Sequence, residues 1–347
     1  MGGLEAIAHA WDDLAALDPT PFSLSAWYAA WWEGDGGGQA MRVCTVWDAG
    51  ELVALLPLCA RDERLETMAN VESCVCRPLA RDPDALRQVT EAALGERYSL
   101  LEIKRLPEGD AAIDALGDAA RAARRLHLVE PDITSPIVDT RGTLEDYRAA
   151  RKSKWHKNMW RLYRKLVRDH DADLRLIEPP SDLGAELTTG FAVESSGWKR
   201  SEGSAILSRP ENEVFYRRLA ERFHARGELR ISSIWIDGRM AAWDLGILHR
   251  NRLYSPKSGY REELRPLAPG LVLELATIER CFEEGVEAHE LLGSDEDYKL
   301  RFSTTERRHQ VFRAFPRRPR PALRYAWRRY APRAMLEARA ERRASTG

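Results

Sequence analysis

The most chemically informative stretch of the chain runs from Arg252 to Phe302. Within it, Arg265-Pro-Leu-Ala-Pro-Gly270 leads directly into LVLELATIERCFEEG. Pro269 suits the first position of a helix, where its missing N–H would have had no partner anyway, and Gly285 suits the helix end. A helix that starts just after a strand, with a glycine that permits close approach, turns free amides and a positive dipole end toward an anion, commonly a phosphate. Asp244 interrupts the otherwise apolar strand MAAWDLGIL. A period of two allows it to face solvent, whereas burial would demand a partner for its charge; both readings stand. His249, beside Arg250 and Asn251, reads as a turn residue. The five cysteines are an odd number for a disulfide framework. Cys74-x-Cys76 lacks both the two-residue spacing and the second pair of a zinc knuckle, so these are core or strand thiols and no metal is expected. HExxH, GxxxxGK[ST], GxSxG and GxGxxG are absent, which sets aside zinc-protease, P-loop and hydrolase chemistry.

The elements that must position these residues follow from periodicity. In the first half, Trp11–Leu17 and Leu24–Trp32 read as helices with aromatic inner faces. MRVCTVW and ELVALLPLCA form a hairpin across Asp48-Ala49-Gly50. A helix near Asp84–Leu94, the strand SLLEIKRL, a helix near Ala111–Arg125 and a strand near Ile133–Val138 follow. The second half repeats that order. ADLRLIEP is a strand, with helices near Leu183–Ser195 and Asn212–Arg226. LRISSIWI and RMAAWDLGILH are joined by Asp237-Gly238, and RLYSPKSGY is a third strand. A helix over Pro269–Glu284, with Leu271, Leu275, Ile278 and Phe282 as its buried stripe, precedes the short strand HELL and a last helix–strand segment. The echo of DAG-ELVALLPL in IDG-RMAAWDLGIL points to a tandem duplication of one α/β unit. Between the halves, Thr143 and Asp146 form an N-cap box. Trp155, Met159, Leu162 and Leu166 make one helical stripe, with Lys and Arg on the other face.

The chain has 347 residues, enough for about two domains at ~150 residues each. Its net charge of −1 conceals an uneven distribution. Residues 151–168 hold eight Lys/Arg and no acid, and residues 316–347 hold ten Arg against Glu337 and Glu341. The tail mixes these arginines with Tyr325, Trp327 and Tyr330, a composition suited to anionic membrane or nucleic acid. Pro316, Pro319, Pro321 and Pro332 are expected to break it into pieces. No uncharged apolar run approaches the ~20 residues of a membrane span. The acidic start, broken by Asp12 and Asp13, lacks the pattern of a signal peptide, so a cytoplasmic protein is expected.

Several motifs together resemble one family. Arg265-x-x-Ala268-x-Gly270 resembles the R/Q-x-x-G-x-G/A pyrophosphate loop of GNAT-fold acyltransferases, and Asp297-Tyr-Lys-Leu-Arg-Phe302 resembles the close of that fold. Lys157–Leu166, Gly197-Trp-Lys199, Phe215-Tyr216, Ile236-Asp-Gly238, Ser258-Gly-Tyr260, Pro269-Gly270 and Gly293 with Tyr298-Lys299 resemble the tandem-GNAT subgroup often labelled cellulose-biosynthesis-associated. That subgroup is related in fold to the Fem-type aminoacyltransferases. The resemblance covers roughly residues 20–315. It implies a mixed-sheet α/β fold with two tandem GNAT-like domains joined by the basic amphipathic helix at about 143–170. The domains would be a degenerate one at 1–140 and a donor-binding one at 141–315, with a basic tail at 316–347. The loop departs from the family pattern: Ala268 replaces its first glycine, and Pro269 removes one donor N–H.

The resemblance further implies direct attack of an amine on an acyl thioester, with acetyl-CoA, another acyl-CoA or an acyl carrier protein as donor and no metal. The acceptor would be an amine on a sugar, amino acid or peptide. Glu194, Asp244 and Asp295 are the candidate proton acceptors, unranked, and Asp295 is equally a helix N-cap. Tyr298 would protonate the departing thiolate. Arg265, Ala268, Gly270, Leu271, Ser258, Gly259 and Lys299 would hold the donor, a backbone N–H of Ser258–Tyr260 meeting the oxyanion. Trp198, Lys199 and Tyr260 would border the acceptor. Two other readings stay open. One is a Fem-type aminoacyl transferase using charged tRNA, which the basic segments would attract. The other is a non-catalytic scaffold in exopolysaccharide biosynthesis at the membrane.

Overall fold

The computed structural model describes residues 2–151, 153–170, 172–196, 205–293 and 296–331. In chain order its elements begin with α1 (Gly2–Ala15), α2 (Ser25–Asp35), β1 (Ala40–Asp48), β2 (Glu51–Arg61), β3 (Arg64–Thr67) and β4 (Leu79–Ala80). Next come α3 (Pro83–Gly95), β5 (Leu100–Pro107), α4 (Ala111–Ala122), β6 (Leu126–Asp139), α5 (Leu144–Ala150) and α6 (Lys154–Asp169). The second half contributes β7 (Asp173–Glu178), α7 (Leu183–Glu194), α8 (Pro210–Ala225), β8 (Leu229–Ile236), β9 (Arg239–His249) and β10 (Arg252–Tyr260). α9 (Pro269–Glu284), β11 (Ala288–Glu290), α10 (Asp297–Phe302), β12 (Thr305–Phe315) and α11 (Pro319–Tyr330) complete it.

Helix starts are set by side-chain caps. Asp82, Asp110 and Asp182 accept backbone N–H groups at the starts of α3, α4 and α7. Thr143 does the same for α5. The single helix expected over about 143–170 is two helices, because Ser153 opens a second N-cap by accepting the His156 N–H. The tail also differs from expectation: Pro319 sits at the start of α11 and Pro321 in its first turn, where neither breaks a helical bond, so a continuous helix runs to Tyr330. Residues 332–347 lie outside the described residues.

The chain divides into two compact units that interleave in sequence. One comprises residues 1–37, 69–75 and 133–308, and the other 38–68, 76–132 and 309–347. This division does not follow the partition at 140 and 141. The physical reason lies in the aromatic residues of α1 and α2. Trp27 packs edge-on against Phe215 at 5.8 Å, and Phe22 against Tyr254 at 5.7 Å, which places the first two helices with the C-terminal half. In the second unit the strands run β1-β2-β3-β5-β12, with β4 on β2. α3 and α4 cover Val53, Leu56, Leu101, Ile103 and Phe312. β12 returns from the far end of the sequence to pair antiparallel with β5.

The first unit holds the sheet order β6-β11-β10-β9-β8-β7. β7, β8, β9 and β10 are antiparallel in succession, whereas β11 lies parallel to β10. A parallel neighbour needs a crossover, which α9 supplies. α9 buries Val272, Leu275, Ile278 and Cys281, and α6 lays Met159, Leu162 and Leu166 against it. The stripe read from the sequence is therefore what fixes α6, and its lysines and arginines are left outward.

α7 lies so close to β9 that Gly190 has no room for a side chain: a Cβ there would stand 2.3 Å from the ring of Trp243, which is fully buried. Replacing Gly190 with alanine should lower stability by about 1–3 kcal/mol, the usual range for overpacking a filled core. Urea denaturation would show it as a lower midpoint at unchanged slope. An unchanged midpoint would mean that this contact is not tight in solution.

Candidate active site

β11 pairs with β10 only over Arg252–Tyr254. Beyond Tyr254 the β10–β9 register slips at Ser255-Pro256. Proline has no N–H for the ladder, and a bulge bends the strand and re-aims its side chains. Residues Lys257–Tyr260 stay paired with β9 on one side. On the other side, a cavity of about 360 Å³ opens between this edge and α9.

The cavity wall collects much of what the sequence singled out. Glu194, Asp244, Ser258, Gly259, Tyr260, Arg265, Ala268, Gly270, Leu271 and Tyr298 line it. Trp243, Leu273, Glu274, Thr277 and His289 join them. Asp244 resolves to the buried reading: it is 6% exposed and accepts a hydrogen bond from Ser255 Oγ at 2.9 Å. Glu194, at the end of α7, is buried too. Its Oε2 accepts the Ile206 N–H at 2.8 Å, and Lys257 Nζ lies 3.4 Å from its Oε1. Gly259 lets β10 approach this point, since a Cβ there would stand 2.4 Å from Glu194 Cα.

Four expected site residues are placed elsewhere or fall outside. Lys299 Nζ donates to the Leu292 carbonyl at 3.1 Å and pairs with Glu296 at 3.1 Å, so its charge is held on its own turn rather than on the cavity wall. Trp198, Lys199 and Asp295 lie outside the described residues. His249 is buried beside Glu228 at 3.1 Å, away from the cavity. The cysteines form no disulfide, and among the described residues no cluster of three metal-ligating side chains occurs.

At the start of α9, Ala268 adopts the left-handed conformation, φ 49° and ψ 47°. This is where the expected loop would carry its first glycine, and an L-residue here is strained. The Ala268 N–H is taken by the Arg265 carbonyl at 2.9 Å, and Pro269 has none. The first-turn amides of Gly270 and Leu271 remain available to an anion, beside the exposed guanidinium of Arg265. Gly270 is pressed to the Tyr260 ring, with room for no Cβ.

The sequence reading missed Ser255, Glu274 and His289. Glu274 projects from α9 with its side chain 13% exposed, its Oε1 3.3 Å from His289 Nδ1. His289 Nε2 lies 2.9 Å from Ser255 Oγ. Burial, reinforced by the nearby charge of Asp244, pushes the Glu274 carboxyl up to about 8. Burial drives His289 down to about 3, so its ring is neutral at physiological pH. Burial also raises the Tyr298 phenol well above its usual value, helped by Glu296 and Glu274, which makes it a weak proton donor. A signal for Glu274 was present: it follows Leu271 by three residues on the apolar stripe, where a charged residue is out of place.

The shift of Glu274 has a consequence for stability. Between 4.5 and about 8 the folded protein keeps a proton there that the unfolded chain has lost. The folded state binds more protons in that window, so stability falls as pH rises through it. Glu274→Gln removes the loss, and the variant should gain melting temperature over wild type at pH 8.5 relative to its difference at pH 5. Equal differences at both values would mean that Glu274 is not buried as a neutral acid.

Comparison with known proteins agrees with this architecture. Residues 153–300 match a family described as an acetyltransferase (GNAT) domain. No curated protein matches the chain. Among solved structures, the C-terminal domain of a putative lysylphosphatidylglycerol synthetase from Agrobacterium fabrum superposes with a TM-score of 0.60 at 11% identity, covering 89% of this chain and 91% of that one. FemX gives 0.61 at 11% identity, over 92% and 98%. L-PGS from Bacillus licheniformis gives 0.54 at 14% identity, over 88% and 95%. At such identities the likeness is one of fold.

Proposed function

With a GNAT-superfamily fold and an acetyltransferase (GNAT) domain at residues 153–300 as premise, we propose that this protein is an N-acyltransferase. It would move an acyl group from a thioester, on coenzyme A or an acyl carrier protein, to an amine on a sugar, amino acid or peptide. The supporting observation is that one cavity is lined by residues suited to both halves of the proposed chemistry. The Gly270 and Leu271 amides and Arg265 stand at one wall for the donor's phosphates, and Asp244 stands at another for the acceptor amine.

In this reading Asp244 takes the proton from the ammonium, and the neutral amine attacks the acyl carbon. Amides along an antiparallel strand alternate in direction, so the side of Ser258–Tyr260 that faces the cavity would supply an N–H to the developing oxyanion. The buried carboxylates give the cavity a negative character suited to a cationic amine. Lys257, close to Glu194 and Glu72 at 3.4 and 3.9 Å, offsets part of that charge.

A second reading is a transferase that takes its acyl group from an aminoacyl-tRNA. Two features favour it. Ala268 and Pro269 leave only two first-turn amides for a pyrophosphate, and α6 presents exposed Lys154, Lys157, Arg161, Arg164 and Arg168 to a polyanion.

Calorimetric titration with coenzyme A and acetyl-CoA tests the first reading. Binding at 1:1 should be on the order of micromolar and should weaken about tenfold in Arg265→Ala, the loss of one charge-assisted phosphate contact. Asp244→Asn should keep that binding and lose roughly 10²–10⁴-fold in kcat. Absence of binding, with salt-sensitive binding of charged tRNA, would move the conclusion to the second reading.

A further inference from the structure

Two carboxyl groups of the cavity stand at the ends of one line of polar side chains, hydrogen-bonded from Asp244 through Ser255 to His289 and closed to Glu274 by a 3.3 Å approach. Ser255, at the bulge of β10, donates its hydroxyl proton to Asp244 Oδ1 at 2.9 Å. A hydroxyl has one proton to give, so His289 Nε2, 2.9 Å from the same Oγ, is the donor there and Nδ1 is left as an acceptor. Nδ1 lies 3.3 Å from Glu274 Oε1, close but without hydrogen-bond geometry, and neither atom has a hydrogen-bond partner among the described residues. The imidazole is 1% exposed. A small rotation of the Glu274 carboxyl closes that last link, and with the proton on Glu274 every donor then meets one acceptor from Glu274 through His289 and Ser255 to Asp244. With Glu274 ionised and a proton on Asp244, the same line runs in the opposite sense: Asp244 donates to Ser255 Oγ, Ser255 donates to Nε2, and Nδ1–H donates to Glu274.

We propose that Ser255 and His289 conduct the acceptor amine's proton from Asp244 to Glu274, making Glu274 the terminal base of the transfer. This rests on the acyltransferase reading above and deepens it. The reaction begins from the state with Glu274 ionised. The ammonium gives one proton to Asp244. Asp244 passes a proton to Ser255 Oγ, Ser255 passes its own to His289 Nε2, and His289 Nδ1 passes its own to Glu274. The freed amine forms the C–N bond and the acyl–leaving-group bond breaks, the leaving group taking the second amine proton. Glu274 then releases its proton through the cavity it lines. The groups facing Glu274 are Asp244 from β9, Lys299 and Tyr298 from α10, Tyr147 from α5, His289 from β11 and Cys281 on its own helix. Burial first, then Asp244, holds its proton on until about pH 8, and Lys299 works against them.

The device has a signature that needs no substrate. In protein labelled with ¹⁵N-histidine, the His289 resonances, assigned by their loss in His289→Gln, should report a neutral Nε2–H ring at pH 6 and a neutral Nδ1–H ring at pH 9. In Glu274→Gln the side-chain amide donates to Nδ1 at every pH, so the ring should stay Nε2–H throughout. A cationic ring at pH 6, or no exchange of tautomers between pH 6 and 9 in the wild type, would overturn the proposal. With an acyl-transfer assay, kcat should rise with pH up to about 8, and Ser255→Ala should lower it about 100-fold and abolish that limb. An unchanged profile in Ser255→Ala would also overturn it. If donor binding and transfer were absent while the tautomer exchange occurred, the acyltransferase reading would fail and the proton path would stand.

Discussion

The site depends on the brevity of the contact between β10 and β11. Parallel strands in a buried sheet normally pair along their length, and here the pairing lasts from Arg252 to Tyr254. Ser255-Pro256 then shifts the register with β9, and the proline denies the ladder a donor. The strands part, and the gap is roofed by the first turns of α9, a helix that could not lie elsewhere because its apolar stripe is claimed by α6 and the sheet. One local irregularity therefore yields an open strand edge, a helix N-terminus pointed at it, and a serine whose hydroxyl is turned inward between Asp244 and His289.

Burying acids in such a place requires a solution for each charge, and the fold uses three. Glu290 is fully buried between Arg252 and Arg307, a closed arrangement that carries strand positions and no chemistry. Glu194 meets Lys257 and a backbone N–H, which holds α7 against β10. Glu274 meets only a neutral imidazole among the described ion-pair partners. A carboxyl with no cation paired to it among the described residues, and only Lys299 acting on it through space, keeps its proton, and a proton held near neutral pH is one that can be exchanged. The contrast sets Glu274 apart from the paired acids without any appeal to sequence motifs.

What could be read from the sequence was what local period and turn chemistry determine. The hairpins around Gly50 and Gly238, the helix bounds of α9, and the Met159–Leu166 stripe follow from spacing alone. Asp244 was visible because a charge interrupts an apolar strand, although its burial depends on which face the sheet covers. His289 and Ser255 were not visible. They meet only because β11 aligns Leu253 with His289 across a crossover, and no local pattern specifies that alignment. The interleaving of the units was hidden for the same reason: Trp27 and Phe215 are far apart in sequence and carry no mark of their partnership.

The turn at Ala268–Gly270 shows how the two ends of the cavity differ. A glycine at position 268 would reach the left-handed region freely, whereas Ala268 enters it at roughly 1–2 kcal/mol. Pro269 then fixes the first turn of α9 and removes an amide. The loop is thus stiff and poor in donors, so a bound phosphate would rely more on Arg265 than on the backbone. Arg265 is largely exposed and, among the described residues, paired with Glu262 on its own turn, and its contribution would be screened by salt. The acid–base groups lie deeper, where screening is weak. Binding that yields to ionic strength and chemistry that does not are therefore the expected character of this cavity, whichever thioester or ester brings the acyl group.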